Sequence, residues 1–90
     1  MYTVVFSQRA QDDLSALKKS EPMAYKKARL LIEELAEHPK TGLGKPQLKK
    51  YDLDGLYARK ITDKHRLVYS INDEIITVFI VSARGHYNDK

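Results

Sequence analysis

A histidine, a tyrosine and several cationic side chains occur in three short segments of the second half of this 90-residue sequence. His86 and Tyr87 follow an apolar run near the C-terminus, whereas Arg59-Lys60 and His65-Arg66 lie in two earlier segments of strand-like composition. Cations stabilise the extra negative charge of a phosphodiester transition state, and a histidine can protonate the departing oxygen. These residue types indicate chemistry on a phosphodiester without a metal-ligand cluster.

A strand and two helices are predicted ahead of these segments. Residues 2–6 are β-branched and aromatic and predict a first strand. Ser7 offers an N-cap hydroxyl for the first helix, and Pro22 suits the first turn of the second. The apolar stripes of the two helices consist of Ala10, Leu14 and Leu17, and of Ala24, Ala28, Leu31, Ile32 and Leu35.

Three further strands are predicted at 56–61, 66–71 and 75–83, and a shorter one at 48–51. The run 75–83 is almost wholly apolar, which predicts a central strand with both faces covered. The order strand, helix, helix and then several strands predicts an α+β fold. In it the N-terminal strand and a two-helix hairpin pack on a mainly antiparallel sheet of four or five strands.

Composition restricts the class of protein. The length predicts a single domain over residues 1–90. With no cysteine, disulfides and thiolate catalysis are excluded, and a cytoplasmic location is expected. No signal-peptide pattern or membrane-spanning apolar run is present, so no membrane partner is expected. Residues 45–66 carry seven Lys/Arg against three Asp/Glu, which suits RNA, although a solvated lysine-rich surface explains the charge alone better.

The C-terminal half resembles the YoeB/Txe branch of the RelE/ParE superfamily of bacterial toxins. Four segments carry the resemblance in matching order and spacing: 42–46 (GLGKP), 52–61 (DLDGLYARKI), 65–69 (HRLVY) and 84–87 (RGHY). The N-terminal half is similar only in its strand–helix–helix plan.

The resemblance implies a metal-independent, cofactor-free endoribonuclease that cleaves mRNA on the ribosome, with the RNA 2′-hydroxyl as nucleophile. It implies that Arg66 stabilises the phosphorane, His86 protonates the leaving 5′-oxygen, and Tyr87 positions the acid or stacks on a base. It also implies a cognate antitoxin of the YefM/Phd type, and a homodimer is left open. The expected RNA contacts are Lys45, Lys49, Lys50, Arg59, Lys60, His65 and Arg84.

Neighbouring residues of a strand point to opposite faces, so Arg59 and Lys60 cannot both face the RNA groove. We favour Arg59, on the face of Tyr57. Structural explanations also remain for the catalytic candidates: His86 could be a packed histidine, and Arg66 could pair with Asp63 or Asp73.

Gln47 stands where the family usually has its general-base glutamate, and we count it among the catalytic candidates. A neutral amide hydrogen-bonds but cannot take up a proton near neutral pH. Either Lys49, Lys50 or His65 is the base, or the chain is a weak nuclease, or the local register differs.

Three other functions are considered. A gyrase-directed toxin of the ParE type shares the fold but not the terminal His-Tyr pair. A catalytically inactive protein that occupies the ribosome or the antitoxin would explain Gln47. A generic RNA-binding domain would need clustered aromatic residues, which this sequence lacks.

Overall fold

The computed structural model describes residues 1–38, 47–49 and 56–85, with only the main chain described for 47–49. The elements in chain order are β1 Thr3–Phe6, α1 Gln8–Ser20, α2 Pro22–Leu35, β2 Gln47–Lys49, β3 Leu56–Lys60, β4 Arg66–Asn72 and β5 Thr77–Ser82. The described strands form one sheet in the order β1-β5-β4-β3-β2. β1 pairs parallel with β5, and the other three pairings are antiparallel. The predicted α+β fold is confirmed.

The helix hairpin has the predicted start signals and apolar stripes. The Ser7 hydroxyl accepts a hydrogen bond from the Ala10 N–H at 2.9 Å and donates one to the Val81 carbonyl at 2.7 Å, joining the start of α1 to β5. Pro22 occupies the first turn of α2. The buried residues of the two stripes are Ala10, Leu17, Ala24, Ala28, Leu31 and Leu35, and they pack against one face of the sheet. No helix within the described residues is long and apolar enough to cross a membrane.

β5 is shorter and less enclosed than predicted. Ile75 and Ile76 belong to the turn before it, where the Asn72 side chain accepts a hydrogen bond from the Ile75 N–H at 3.3 Å. Ile76 has a φ of 50°, outside the extended region. Phe79 is 40% exposed on the face away from the helices, while its neighbours are buried. The prediction that both faces are covered was wrong, because apolar composition alone does not show how many layers cover a strand.

Candidate active site

Arg66 opens β4 opposite Lys60 of β3. Its half-buried side chain donates from Nη1 to the Thr62 carbonyl at 3.2 Å. Asp63 pairs instead with Lys60 at 2.6 Å, and Asp73 accepts from the Tyr2 hydroxyl at 2.6 Å. Within residues 1–38 and 56–85, no carboxylate forms an ion pair with Arg66, so its charge is uncompensated there.

His65 precedes Arg66 and is 7% exposed. Its Nδ1 accepts a hydrogen bond from the Gly85 N–H at 2.9 Å, and its Nε2 lies 2.9 Å from Glu21 Oε2. Both ring nitrogens are therefore engaged, and no lone pair is free to take a proton from a substrate. This geometry favours a structural role for His65 over the base or the RNA contact that the sequence left open.

The chain after β5 is anchored at three points. The Ala83 N–H donates to the buried Asp13 carboxylate at 3.0 Å. The Gly85 N–H donates to His65, and the Gly85 carbonyl accepts from the Arg66 N–H at 3.0 Å. Gly85 has a φ of 76°, a conformation that a residue with a Cβ adopts only at a cost. The segment that leads to His86 is thus bound to the start of β4.

Sequence analysis missed Asp13 and Glu21 at this anchor. Asp13 lies at helical spacing between Ala10 and Leu17 on the buried stripe, and a carboxylate on an apolar stripe is a readable signal for a buried hydrogen bond. Glu21 is the residue before the helix-starting Pro22, and nothing in its position points to His65, 44 positions away.

Four cations lie on or next to the segments that His65 and Gly85 join: Lys60, Lys64, Arg66 and Arg84, which we call the basic rim. Three carboxylates belong to the same region: Asp13, Glu21 and Asp63. The hydrogen bond from His65 lowers the pKa of Glu21, and the charges of Lys64 and Arg84 add to this effect. Lys64 Nζ lies 3.9 Å from Glu21 Oε1. The rim has a net positive charge among the described residues, which suits a phosphate-bearing partner.

The lowered pKa of Glu21 predicts an acid-dependent loss of stability. A carboxyl whose pKa is lower in the folded state stabilises the fold above its unfolded pKa, and that contribution disappears as the pH falls through the folded value. We expect Glu21→Gln to be less stable than the wild type at neutral pH. The difference should shrink as the pH falls below the ordinary glutamate pKa of about 4.3 and should disappear below the lowered pKa of Glu21. Urea unfolding across pH measures this. Glu33→Gln, which alters an exposed pair with Arg29, is the control and should show little difference at any pH. A Glu21→Gln deficit that persists unchanged in acid would contradict the expectation.

Arg59 is completely buried, and this reverses our choice between Arg59 and Lys60. Arg59 does share the face of Tyr57, but that face is the one covered by α2. Its guanidinium donates to Glu34 Oε1 at 2.8 Å, to the Tyr69 hydroxyl at 3.1 Å and to the His38 carbonyl. Lys60, with its side chain 54% exposed, points the other way. In this conformation Arg59 holds α2 to the sheet and is not presented to RNA.

Several predicted site residues fall where side chains are not described. Lys45, Lys50, His86 and Tyr87 lie outside the described residues. Gln47 and Lys49 lie in β2, where Gln47 pairs with Ala58 and Lys49 with Leu56. Gln47 is therefore two strands from β4, close along β3 to the Lys60–Arg66 pair. Within the described residues, no group of three or more His, Cys, Asp or Glu side chains could hold a metal ion.

Comparison with known proteins extends the sequence resemblance to nearly the whole chain. The family described as "YoeB-like toxin of bacterial type II toxin-antitoxin system" matches residues 6–87. This chain belongs to that family.

Relatives and solved structures of YoeB toxins are similar to this chain over nearly the whole length of both proteins. Toxin YoeB of Escherichia coli K12 is 33% identical over 84 residues, covering 93% of this chain and 98% of the relative. The YoeB/ParE toxin from Agrobacterium tumefaciens superposes with a TM-score of 0.87 at 29% identity, covering 94% of this chain and 99% of that chain.

The YoeB toxin of Staphylococcus aureus has been solved in two assemblies, and its chain resembles this one in both. The YoeB–YefM complex has a TM-score of 0.80 at 31% identity, covering 97% of this chain and 99% of that chain. The YoeB dimer has a TM-score of 0.81 at 31% identity, with coverages of 96% and 98%. The chain is a YoeB-type toxin of a type II toxin–antitoxin system, as its sequence predicted.

Proposed function

We propose that this YoeB-type toxin is an endoribonuclease that cleaves mRNA on the ribosome, in the cytoplasm. The observation that carries the proposal is the half-buried Arg66, which has no ion-pair partner among the described residues and is hydrogen-bonded through its main chain to the residue before His86. A cation held in this way suits the extra charge of a phosphorane.

The proposed reaction is an intramolecular displacement at phosphorus. The RNA 2′-hydroxyl loses its proton to a base and its oxygen bonds to the adjacent phosphorus. The bond from phosphorus to the 5′-oxygen then breaks, and His86 supplies the proton for that oxygen. The products are a 2′,3′-cyclic phosphate and a 5′-hydroxyl. Arg66 neutralises the pentacoordinate phosphorane, and Tyr87 positions the acid or stacks on a base.

The remaining cations of the basic rim are assigned to the RNA backbone. These are the exposed Lys60, Lys64 and Arg84. Lys60 pairs in register with Arg66, Lys64 is two residues before it, and Arg84 precedes Gly85, whose carbonyl accepts from the Arg66 N–H. Together with Lys45, Lys49 and Lys50 they would track the phosphates on either side of the cleaved bond. Arg59 and His65 are left out of this set because both are buried in hydrogen bonds.

The decisive test is primer extension on mRNA incubated with the purified toxin, with and without translating ribosomes. We expect discrete cleavage inside the reading frame only when ribosomes are present. Expression of the toxin alone should arrest growth, and a YefM-type antitoxin should restore it. Cleavage of naked RNA at the same sites would remove the ribosome from the proposal, and the absence of cleavage together with harmless expression would contradict it.

Two assemblies are proposed by analogy with the S. aureus toxin. A YefM-type antitoxin would neutralise this chain, and its acidic segment would cover the basic rim. A homodimer would match the YoeB dimer of the same organism. Light scattering of the toxin alone and with its antitoxin distinguishes these states.

A second candidate function follows from Gln47. An amide in place of the general base would suit a protein that occupies the ribosome or sequesters an antitoxin with little cleavage. The discriminating result is translation arrest without cut mRNA.

Gln47 also gives a prediction about the identity of the base. If carboxylate chemistry operates, Gln47→Glu should raise single-turnover cleavage by about a hundredfold or more. If a lysine has taken over, the new carboxylate would favour the charged lysine and lower the rate, and Lys49→Ala or Lys50→Ala would abolish cleavage. We expect the lysine outcome; the contacts that already engage both nitrogens of His65 argue against the third candidate.

The measurement is the cleavage rate against pH for the wild type and for Gln47→Glu, Lys49→Ala, Lys50→Ala and His65→Ala. Equal rates in all five proteins would show that none of these groups is the base.

A further inference from the structure

The imidazole of His65 connects three parts of the fold. It lies at the start of β4, its Nε2 faces Glu21 at the N-terminus of α2, and its Nδ1 faces the Gly85 N–H beyond β5. The ring is 7% exposed, so water does not compete strongly for either contact. A buried histidine with two such partners has its orientation fixed.

The partners also determine the tautomer. A main-chain N–H only donates, so Nδ1 must carry a lone pair and no proton. A carboxylate only accepts, so the proton must lie on Nε2 and point to Glu21. The hydrogen-bond network therefore assigns the neutral Nε2–H form. The Glu21 carboxylate favours this tautomer, in the way that carboxylates orient histidines at many functional sites.

The contact at Gly85 reaches the proposed general acid through the main chain. The Gly85 carbonyl accepts from the Arg66 N–H, and this carbonyl lies in the same rigid peptide plane as the nitrogen of His86. With its N–H held by His65 and its carbonyl held by Arg66, Gly85 is fixed on both sides. Arg66 and His86, the two groups proposed to act on one phosphate, therefore start from a shared anchor.

Resting on the proposed function, we infer that His65 is a positioning residue that holds Gly85, the residue bonded to His86, against the main chain of Arg66. His65 takes no part in proton transfer. Its contribution is the lone pair of Nδ1, which accepts the hydrogen bond from Gly85. Glu21 contributes by holding the ring proton on Nε2, so that Nδ1 stays unprotonated.

Two substitutions separate the acceptor from the imidazole. In His65→Asn the amide oxygen can take the place of Nδ1 and accept from Gly85, while the contact to Glu21 is lost. In His65→Gln the longer amide reaches Glu21, while the acceptor at the Nδ1 position is lost. We expect Asn to retain most of the wild-type cleavage rate and Gln to lose about a hundredfold at unchanged substrate affinity. His38→Gln is the histidine control and should cleave like the wild type, because His38 is exposed and lies three residues beyond the end of α2.

Equal losses in the Asn and Gln variants would overturn the inference, because the imidazole itself would then be required. So would a Gln variant that cleaves normally. Urea unfolding of both variants accompanies the assay; a rate difference that simply follows a difference in the unfolded fraction would also count against positioning.

Nuclear magnetic resonance tests the contact without any activity. Imidazole ¹⁵N shifts should show the Nε2–H tautomer, and a scalar coupling should connect His65 Nδ1 with the Gly85 nitrogen across the hydrogen bond. The amide signals of Gly85 and His86 should shift from their wild-type positions in His65→Gln, and they should shift less in His65→Asn. An Nδ1–H tautomer or a missing coupling would overturn the inference. If the wild type proves inactive, the proposed function fails, while the coupling and these signals still decide whether His65 positions the segment.

Discussion

Replacing Arg66 with alanine is expected to lower the rate of mRNA cleavage on the ribosome by about a hundredfold or more. The reason is electrostatic: the guanidinium is half-buried, carries a charge that no described carboxylate neutralises, and lies next to the anchor of the terminal segment. Its single described side-chain hydrogen bond, from the charged guanidinium to the Thr62 carbonyl, contributes about 1.5 to 3 kcal/mol of stability. Arg66→Ala should therefore lose activity while remaining folded, with only a modest loss of stability.

Three companion variants make this prediction specific. His86→Ala should lose a similar factor, because the leaving oxygen then departs without a proton donor. Arg66→Lys should be intermediate, since lysine keeps the charge but not the planar fork that binds two phosphate oxygens. Arg29→Ala removes a guanidinium from an exposed pair on α2 and should change nothing. Normal single-turnover cleavage by both Arg66→Ala and His86→Ala would remove these residues from the mechanism.

The largest stability effect is expected at Arg59. Arg59→Met should lower the free energy of unfolding by about 3 kcal/mol, because it removes the buried guanidinium that donates to the Glu34 carboxylate and to the part-buried His38 carbonyl. The Glu34 side chain is 24% exposed, so hydration of its carboxylate offsets only part of the lost free energy. The substitution also removes the hydrogen bond from Arg59 to the Tyr69 hydroxyl. Burial raises the pKa of Tyr69, so this hydroxyl stays neutral. Urea unfolding monitored by circular dichroism measures the change.

Lys60→Met is the matched control on the next position of the same strand. Lys60 makes an exposed pair with Asp63, so its loss should cost less than about 1 kcal/mol. The double substitution Arg59→Met with Glu34→Leu removes both charges and should recover much of the stability. If Arg59→Met unfolded like Lys60→Met and instead weakened RNA binding, Arg59 would belong to the interface, as the sequence analysis first favoured.

The sequence by itself determined the plan of the fold. The helical stripes, the Ser7 cap and Pro22 follow from local spacing and local hydrogen bonding, and each was found where predicted. The strand segments and their turns determined the α+β class. Motif order and spacing determined the family, because a short chain with four matching segments leaves few alternatives.

Only the tertiary structure decided which distant groups the buried polar residues contact. Alternation predicts that Arg59 and Lys60 face opposite sides of the sheet. Which of the two sides is covered depends on where α2 packs, and α2 carries Glu34, the partner of Arg59, 25 positions away. His65 and Asp13 likewise find their partners 20 and 70 positions away. A buried polar group is stable only when distant donors and acceptors meet it, and local periodicity carries no record of those partners. The positioning role proposed for His65 rests on that long-range geometry, whereas the phosphate-binding role proposed for Arg66 was already implied by the sequence resemblance.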